Sequence, residues 1–302
     1  MRKKSKIITT KTGIQMKKLK NSDNAVVGIV AAFLIIGLVV AVLSVIQTQY
    51  VPKWMEEKEA DHMNMLADQF AQLNYAISTH VLNEKTDIPI STTITLGSKE
   101  MPFLMSMRAF GELKILHDNV EISINGTPNK NIKIGTIKYS SYNNYFIDQS
   151  YIYECGGVIL SQQSGNVMYI KPFFTANFLE DAILNFTIVN ISTIGNKDTS
   201  VHGFGPAPIQ TEFKNFNYSF IKDIKYINIT TNYENSWLNF LNSTLIKAGL
   251  NYADQKNYTI SANDGKISIH ILDFPGNDEF KMHLTISKIG AQIAPGWVED
   301  RQ

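Results

Sequence analysis

The hydrophobic and polar positions of this chain fall into three successive patterns. From Ala25 to Ile46 the residues read AVVGIVAAFLIIGLVVAVLSVI, 22 in a row with no charge and one serine. At about 1.5 Å per residue, such a helix crosses the roughly 30 Å hydrocarbon layer of a bilayer. From about Lys53 to Leu82 apolar residues recur at helical spacing instead. Leu66, Phe70, Leu73, Ile77 and Val81 share one face, while Glu57, Asp61, Asp68 and Gln72 punctuate the other side, which predicts an amphipathic helix. Pro52 stands between the two helical patterns and predicts a kink there.

From Asp87 onward the period drops to two. Ile90–Leu96, Glu121–Ile124, Ile132–Tyr139, Tyr151–Glu154, Val158–Leu160 and Val167–Ile170 predict strands. So do Asn185–Ser192, Tyr226–Thr231, Lys266–Leu272 and His283–Ser287. Asn125-Gly126, Gly156-Gly157 and Ser164-Gly165-Asn166 predict the turns between them. One helix interrupts, Glu234 to Leu250, with Trp237, Phe240, Leu241, Leu245 and Ala248 on one face.

The expected fold class is therefore α+β. A long N-terminal helix, transmembrane and then amphipathic, precedes a β-rich, sandwich-like extracytoplasmic head with one later helix. The expected segments are a basic leader (1–24), a transmembrane helix (25–46), a helical extension (47–84) and the head (85–302). The stretch from Gly195 to Pro208, rich in Gly and Pro, reads as a loop or a boundary dividing the head into two modules.

Flanking charge orients the apolar helix. Arg2, Lys3, Lys4, Lys6, Lys11, Lys17, Lys18 and Lys20 precede it, while Glu56, Glu57, Glu59 and Asp61 follow it. Basic flanks stay on the cytoplasmic side, so the expected location is a single-pass cell-membrane protein with its head outside. The apolar run exceeds a secretory h-region and no A-x-A site follows it, which argues against cleavage after the span. Cleavage before Ala25 and a start at Met16 both remain compatible with the sequence.

Composition narrows the chemistry. Only 18% of the 302 residues are charged and the net charge is +1, which gives no basis for a nucleic-acid partner. The single cysteine, Cys155, excludes an internal disulfide and a multi-cysteine metal cluster, and reads as a small buried hydrophobe. His62, His80, His117, His202, His270 and His283 match no metal-ligand spacing, though His270 and His283 lie in strand-like runs that can bring them together. There is no G-x-S-x-G elbow, P-loop or G-x-G-x-x-G after a strand. His202-Gly203-Phe204-Gly205-Pro206 has no lysine and opens no helix. The acids of Asn263-Asp264-Gly265 and Asn277-Asp278-Glu279 fit turns as well as calcium loops. No cofactor, metal or catalytic residue is expected, and the chain does not read as an enzyme.

Two other patterns are noted. Seven N-x-[ST] sequons, at Asn125, Asn185, Asn190, Asn217, Asn228, Asn242 and Asn257, are candidate N-glycosylation sites. Asn185 and Asn190 are five apart in one strand and so cannot share a face. Gly28/Ala32 and Gly37/Ala41 are small-x-x-x-small pairs on different faces of the apolar helix, suited to close packing against neighbours.

The residues Asp23-Asn24-Ala25-Val26-Val27-Gly28, Val51-Pro52-Lys53-Trp54 and Glu56-Glu57-Lys58-Glu59-Ala60-Asp61-His62 resemble the entry and exit of the helix in archaeal type IV pilin-like proteins. Tyr153 to Gln163, with Gly203-Phe204-Gly205, is similar to the outer domains of pilin-like archaeal surface proteins. The resemblance implies a non-catalytic surface or adhesion protein. Its helix would contact the lipid bilayer or pack against copies of itself and related subunits. Two departures stand out: no Glu in the first part of the apolar run, and no Lys-Gly or Arg-Gly processing site. They favour the alternative of a permanently anchored extracellular binding module that does not polymerise. A membrane-tethered enzyme is a third reading.

Overall fold

The computed structural model describes residues 22–85, 88–100, 109–177, 182–193, 197–250, 258–272 and 280–293. The chain divides into two compact units, one ending at Val51 and the other beginning at Pro52.

In the first unit, α1 (Ser22–Val45) is followed by a π-helical turn, Ile46–Tyr50. In that turn the Val51 N–H reaches back to the Ile46 carbonyl. Pro52 supplies the local reason for a widened turn, because it has no N–H to offer the carbonyl four residues back. Ser44 Oγ and Thr48 Oγ1 donate to the carbonyls of Val40 and Ser44, so neither hydroxyl is left unpaired in this apolar stretch.

In the second unit, α2 (Val51–Asn83) leads into the head. β1 (Ile90–Thr95), β2 (Phe110–Thr127), β3 (Lys130–Tyr142), β4 (Gln149–Glu154), β5 (Gly157–Gln162) and β6 (Gly165–Ile170) come next. β7 (Phe173–Asn177), β8 (Ile183–Ser192), β9 (Thr199–Gly203) and β10 (Pro206–Thr230) follow. Then come α3 (Glu234–Lys247), β11 (Tyr258–Asn263), β12 (Lys266–Ile271) and β13 (Lys281–Ile293).

The thirteen strands form a single sheet rather than two stacked ones. Within it, β10 pairs with β13, β13 runs parallel to β8, β8 meets β3, β3 pairs with β2, and β2 returns to β10. The sheet thus closes into a barrel-like ring. β10 makes closure possible by its length of 25 residues. Its first part joins β1 and β13, and its last part joins β2 and β12. Irregular register between Phe213 and Asn215, and again between Lys222 and Tyr226, bends it from one partner set to the other.

Two apolar cores result. α2 packs Met63, Leu66, Phe70, Leu73 and Ile77 against Ile94, Leu113, Ile137, Tyr139, Ile209 and Ile289. α3 packs Trp237, Phe240, Leu241 and Leu245 against Ile122, Ile134, Phe186, Ile227 and Ile269. Individual strands serve both. On β8, Phe186 and Ile188 enter the α3 core while Val189 and Ile191 enter the α2 core. A period of two sends alternate side chains to opposite faces, so one strand can feed two helices.

Several expectations are corrected. Asn125-Gly126 is not a turn: β2 runs through it to Thr127, and the chain reverses before Lys130. Of the expected loop at 195–208, residues 199–203 and 206–208 lie in β9 and β10. The strands before and after this stretch interleave, since β2 pairs with β10 and β8 with β13. β7 and β11 were not anticipated, nor was the first half of β2.

Candidate functional site

The first candidate element is α1. From Val26 to Val45 every residue is exposed, including Phe33, Leu34 and Leu38. Gly28, Ala32, Gly37 and Ala41 are all exposed as well, and nothing lies within 4 Å of where a Cβ would stand at Gly28 or Gly37. Helical backbone is continuous from Val26 to Asn83, and the most apolar window has a mean hydropathy of 3.2 with none of it buried. This is a candidate membrane anchor, because so much apolar surface is unfavourable in water.

α2 is held differently. Its apolar stripe is supplemented by polar side chains that keep the same helical phase. Glu59, fully buried, accepts the backbone N–H groups of Asn144, Tyr145 and Phe146 at 3.0, 2.7 and 2.7 Å. His62 Nε2 donates to the Thr95 carbonyl and His80 Nε2 to the Thr211 carbonyl, each at 2.9 Å. Burial holds both imidazoles below their ordinary pKa; the backbone hydrogen bonds and the Glu59 and Glu212 carboxylates oppose it. Gln69 closes a two-way pair with Thr95. The spacing 59, 62, 66, 70, 73, 77, 80 is the signal that was available in the sequence, where polar residues interrupt the apolar stripe without breaking its phase. Beside His62 a pocket of about 260 Å³ is lined by Lys58, Asp61, Met65, Thr95, Gly97 and Lys99.

The second buried carboxylate is Glu154, at the end of β4. It accepts Trp237 Nε1–H at 2.7 Å and Thr231 Oγ1–H at 3.1 Å. Burial pushes its pKa up to about 7, against the pull of those two hydrogen bonds. Cys155 follows in a two-residue hairpin turn with Gly156, both at positive φ. Its thiol is buried and burial raises its pKa well above the usual range, the opposite of what a reactive thiol needs. Asn166 accepts the Ser236 N–H and hydroxyl, and Glu234 accepts the Gly265 N–H, so α3 is tied to two hairpin tips at its first turn. Asp264-Gly265 is therefore a turn between β11 and β12. Asn277-Asp278-Glu279 lies outside the described residues.

The remaining histidines are dispersed. His117 lies against Asp118 and His202 is exposed near the end of β9. His270 stacks on Tyr226, while His283 lies against Tyr218 and Phe220. These two histidines thus flank β10 at separate positions, His283 opposite Phe220 and His270 opposite Tyr226. Among the described residues no group of three or more His, Cys, Asp or Glu is placed to hold a metal ion.

The sequons differ in environment. Asn125, Asn185 and Asn217 are exposed, whereas Asn190, Asn228 and Asn242 are half-buried. Asn190 uses both ends of its amide, donating to the Lys133 carbonyl and accepting from the Gly135 N–H. Asn242 accepts from the Tyr258 hydroxyl. Asn257 lies outside the described residues.

No protein-family model, curated protein or solved structure matches the chain.

Proposed function

We propose that this is a non-catalytic, pilin-like cell-surface protein, retained by burial of α1 and presenting its β-rich head outside the cytoplasm. The supporting observation is the uncharged, wholly exposed helical surface from Val26 to Val45. That surface finds apolar surroundings in a bilayer or in a sheath of identical helices. The basic residues before the span support the outward placement of the head, and the resemblance at Asp23–His62 supports the pilin-like assignment. Gly28, Ala32, Gly37 and Ala41 would let neighbouring helices approach closely.

A second reading is favoured by a specific observation. The chain lacks a Glu early in the apolar run and a Lys-Gly or Arg-Gly processing site. On this reading the head is a permanently anchored binding module.

Sequencing the mature N-terminus, together with electron microscopy of surface filaments and mass spectrometry of their subunits, separates the two. Loss of the residues before Ala25 and presence of the chain in filaments support the pilin-like reading. An intact leader and no filament incorporation support the anchored module. A full-length chain that is soluble and monomeric without detergent contradicts both.

A further inference from the structure

On β13, odd-numbered side chains face one side of the sheet and even-numbered ones the other. Ile289 and Ala291 lie on the first face in the α2 core, and Met282 and Leu284 on the second face in the α3 core. α2 covers the first face only so far. His80, in its last turn, bonds to the Thr211 carbonyl, and the helix ends at Asn83. β10 runs on beyond Thr211, at the end of the head away from Pro52. There it shows Phe216, Tyr218 and Phe220 on the same face, opposite Ser287, Thr285 and His283 of β13.

These rings are exposed, Phe216 at 47% and Tyr218 at 53%. Alternate residues of a strand stand about 6.8 Å apart, so the three rings form a row along it. His283 orders the row. Its ring stacks on Tyr218 with centroids 6.0 Å apart and lies 5.0 Å from that of Phe220. Its Nδ1 is 2.5 Å from the Tyr218 hydroxyl. The same face continues with Asn185 and Thr187 on β8, then Thr175 and exposed Phe173 on β7. Among the described residues no carboxylate or ammonium interrupts those rows. Lys281 stands at the border, and so does Lys222, whose Nζ lies over the Phe220 ring.

We infer that this face is a binding platform for a neutral polysaccharide. Aromatic rings offer apolar faces to the C–H side of a sugar ring, and the Asn, Thr and His groups between them exchange hydrogen bonds with hydroxyls. Among the described residues of these rows, the absence of acidic groups and the confinement of lysines to the border fit an uncharged ligand, whereas a nucleic acid or anionic surface calls for a basic patch. This inference gives a ligand class to the head and rests on its outward placement.

Affinity electrophoresis of the full-length chain in neutral detergent tests it, in gels cast with laminarin, mannan, dextran or xylan, and with alginate as the anionic comparison. At least one neutral polysaccharide should retard migration, with little dependence on salt. Tyr218→Ala should weaken that retardation about tenfold, and Phe216→Ala combined with Tyr218→Ala should remove it. Tyr75→Ala, which deletes an exposed ring on α2, should leave it intact. In the wild-type protein, the retarding polysaccharide should slow deuterium uptake at 215–221, a readout that needs no variant to fold.

Retardation by alginate alone, by no neutral polysaccharide, or unchanged in the double variant would overturn the inference. So would protection confined to another part of the head, or a dimer formed without polysaccharide and lost in the double variant. Protease access to the head in intact cells tests its placement separately. A head found inside would refute the surface reading and leave the electrophoretic result standing.

Discussion

α1 and α2 belong to one continuous helical run yet meet their surroundings in opposite ways. From Val26 to Val45 all sides of the helix are apolar and all are exposed. From Val51 to Asn83 the sequence is mixed, and its apolar side chains are fully buried at Leu66, Phe70, Leu73 and Ile77. The half with more apolar surface is the half the protein does not bury. Hydrophobicity alone therefore does not decide where a helix goes. α2 has a stripe whose phase matches a sheet, and buried polar groups that fix its position; α1 has neither. A helix apolar on every side calls for an apolar medium on every side.

The contrast can be broken from either half, and the largest expected effect lies in α2. Phe70→Ala should destabilise the head by about 3–5 kcal/mol, because its fully buried ring stacks on Tyr151 and leaves a cavity when removed. Urea unfolding in detergent, followed by near-ultraviolet circular dichroism, checks this. Leu38→Arg should act on the other half alone. It should disfavour membrane insertion by about 3 kcal/mol while leaving the melting temperature of the head unchanged. Membrane fractionation and calorimetry together read both parts.

Glu154 sharpens the picture from inside the head. Its carboxyl titrates near 4.3 in an unfolded chain and at about 7 in the folded one. Between those values the folded protein holds a proton that the unfolded chain has released. Its contribution to stability is therefore present at low pH and is lost as pH rises to 7, by roughly 3 kcal/mol in all. Glu154→Gln keeps an acceptor for Trp237 and should flatten that slope in unfolding curves taken from pH 4 to 8. The smallest effect is expected at Glu59. Glu59→Ala deprives three backbone N–H groups of their acceptor but leaves the loop close to water, at a cost of about 2 kcal/mol. Faster amide exchange at 144–146 would accompany it.

Legibility in the sequence followed the range of the interactions. The apolar helix, the α2 stripe, α3 and most short strands could be read from local periodicity, because each side-chain pattern reflects a single buried face. Of β10 only the end, within Tyr226–Thr231, could be read. Asn215-Phe216-Asn217-Tyr218-Ser219-Phe220 alternates polar and aromatic residues, but 214–218 are exposed on both faces, so that alternation marks no buried face. The strand character of this part comes from pairing with β13, far away in sequence. For Glu59 the phase of the α2 stripe indicated its buried side but not its partners, and for Glu154 neither was legible. Their partners are the 144–146 loop and Trp237, and only the closed sheet brings these together. The aromatic row on β10 stands in the sequence as the spacing of Phe216, Tyr218 and Phe220, but the face it shares with β13 follows only from the pairing.

The contrast between α1 and α2 can be measured residue by residue. Single cysteines placed along both helices, with Cys155 replaced by alanine, can be probed by a water-soluble maleimide in native membranes without detergent. Positions from Val27 to Leu43 should stay unlabelled on every side of the helix. On α2, labelling should alternate, with Asp61 and Asp68 reactive and Leu66 and Phe70 protected. If positions within α1 are labelled as readily as Asp61, that helix lies in water, and the proposed mode of retention is contradicted.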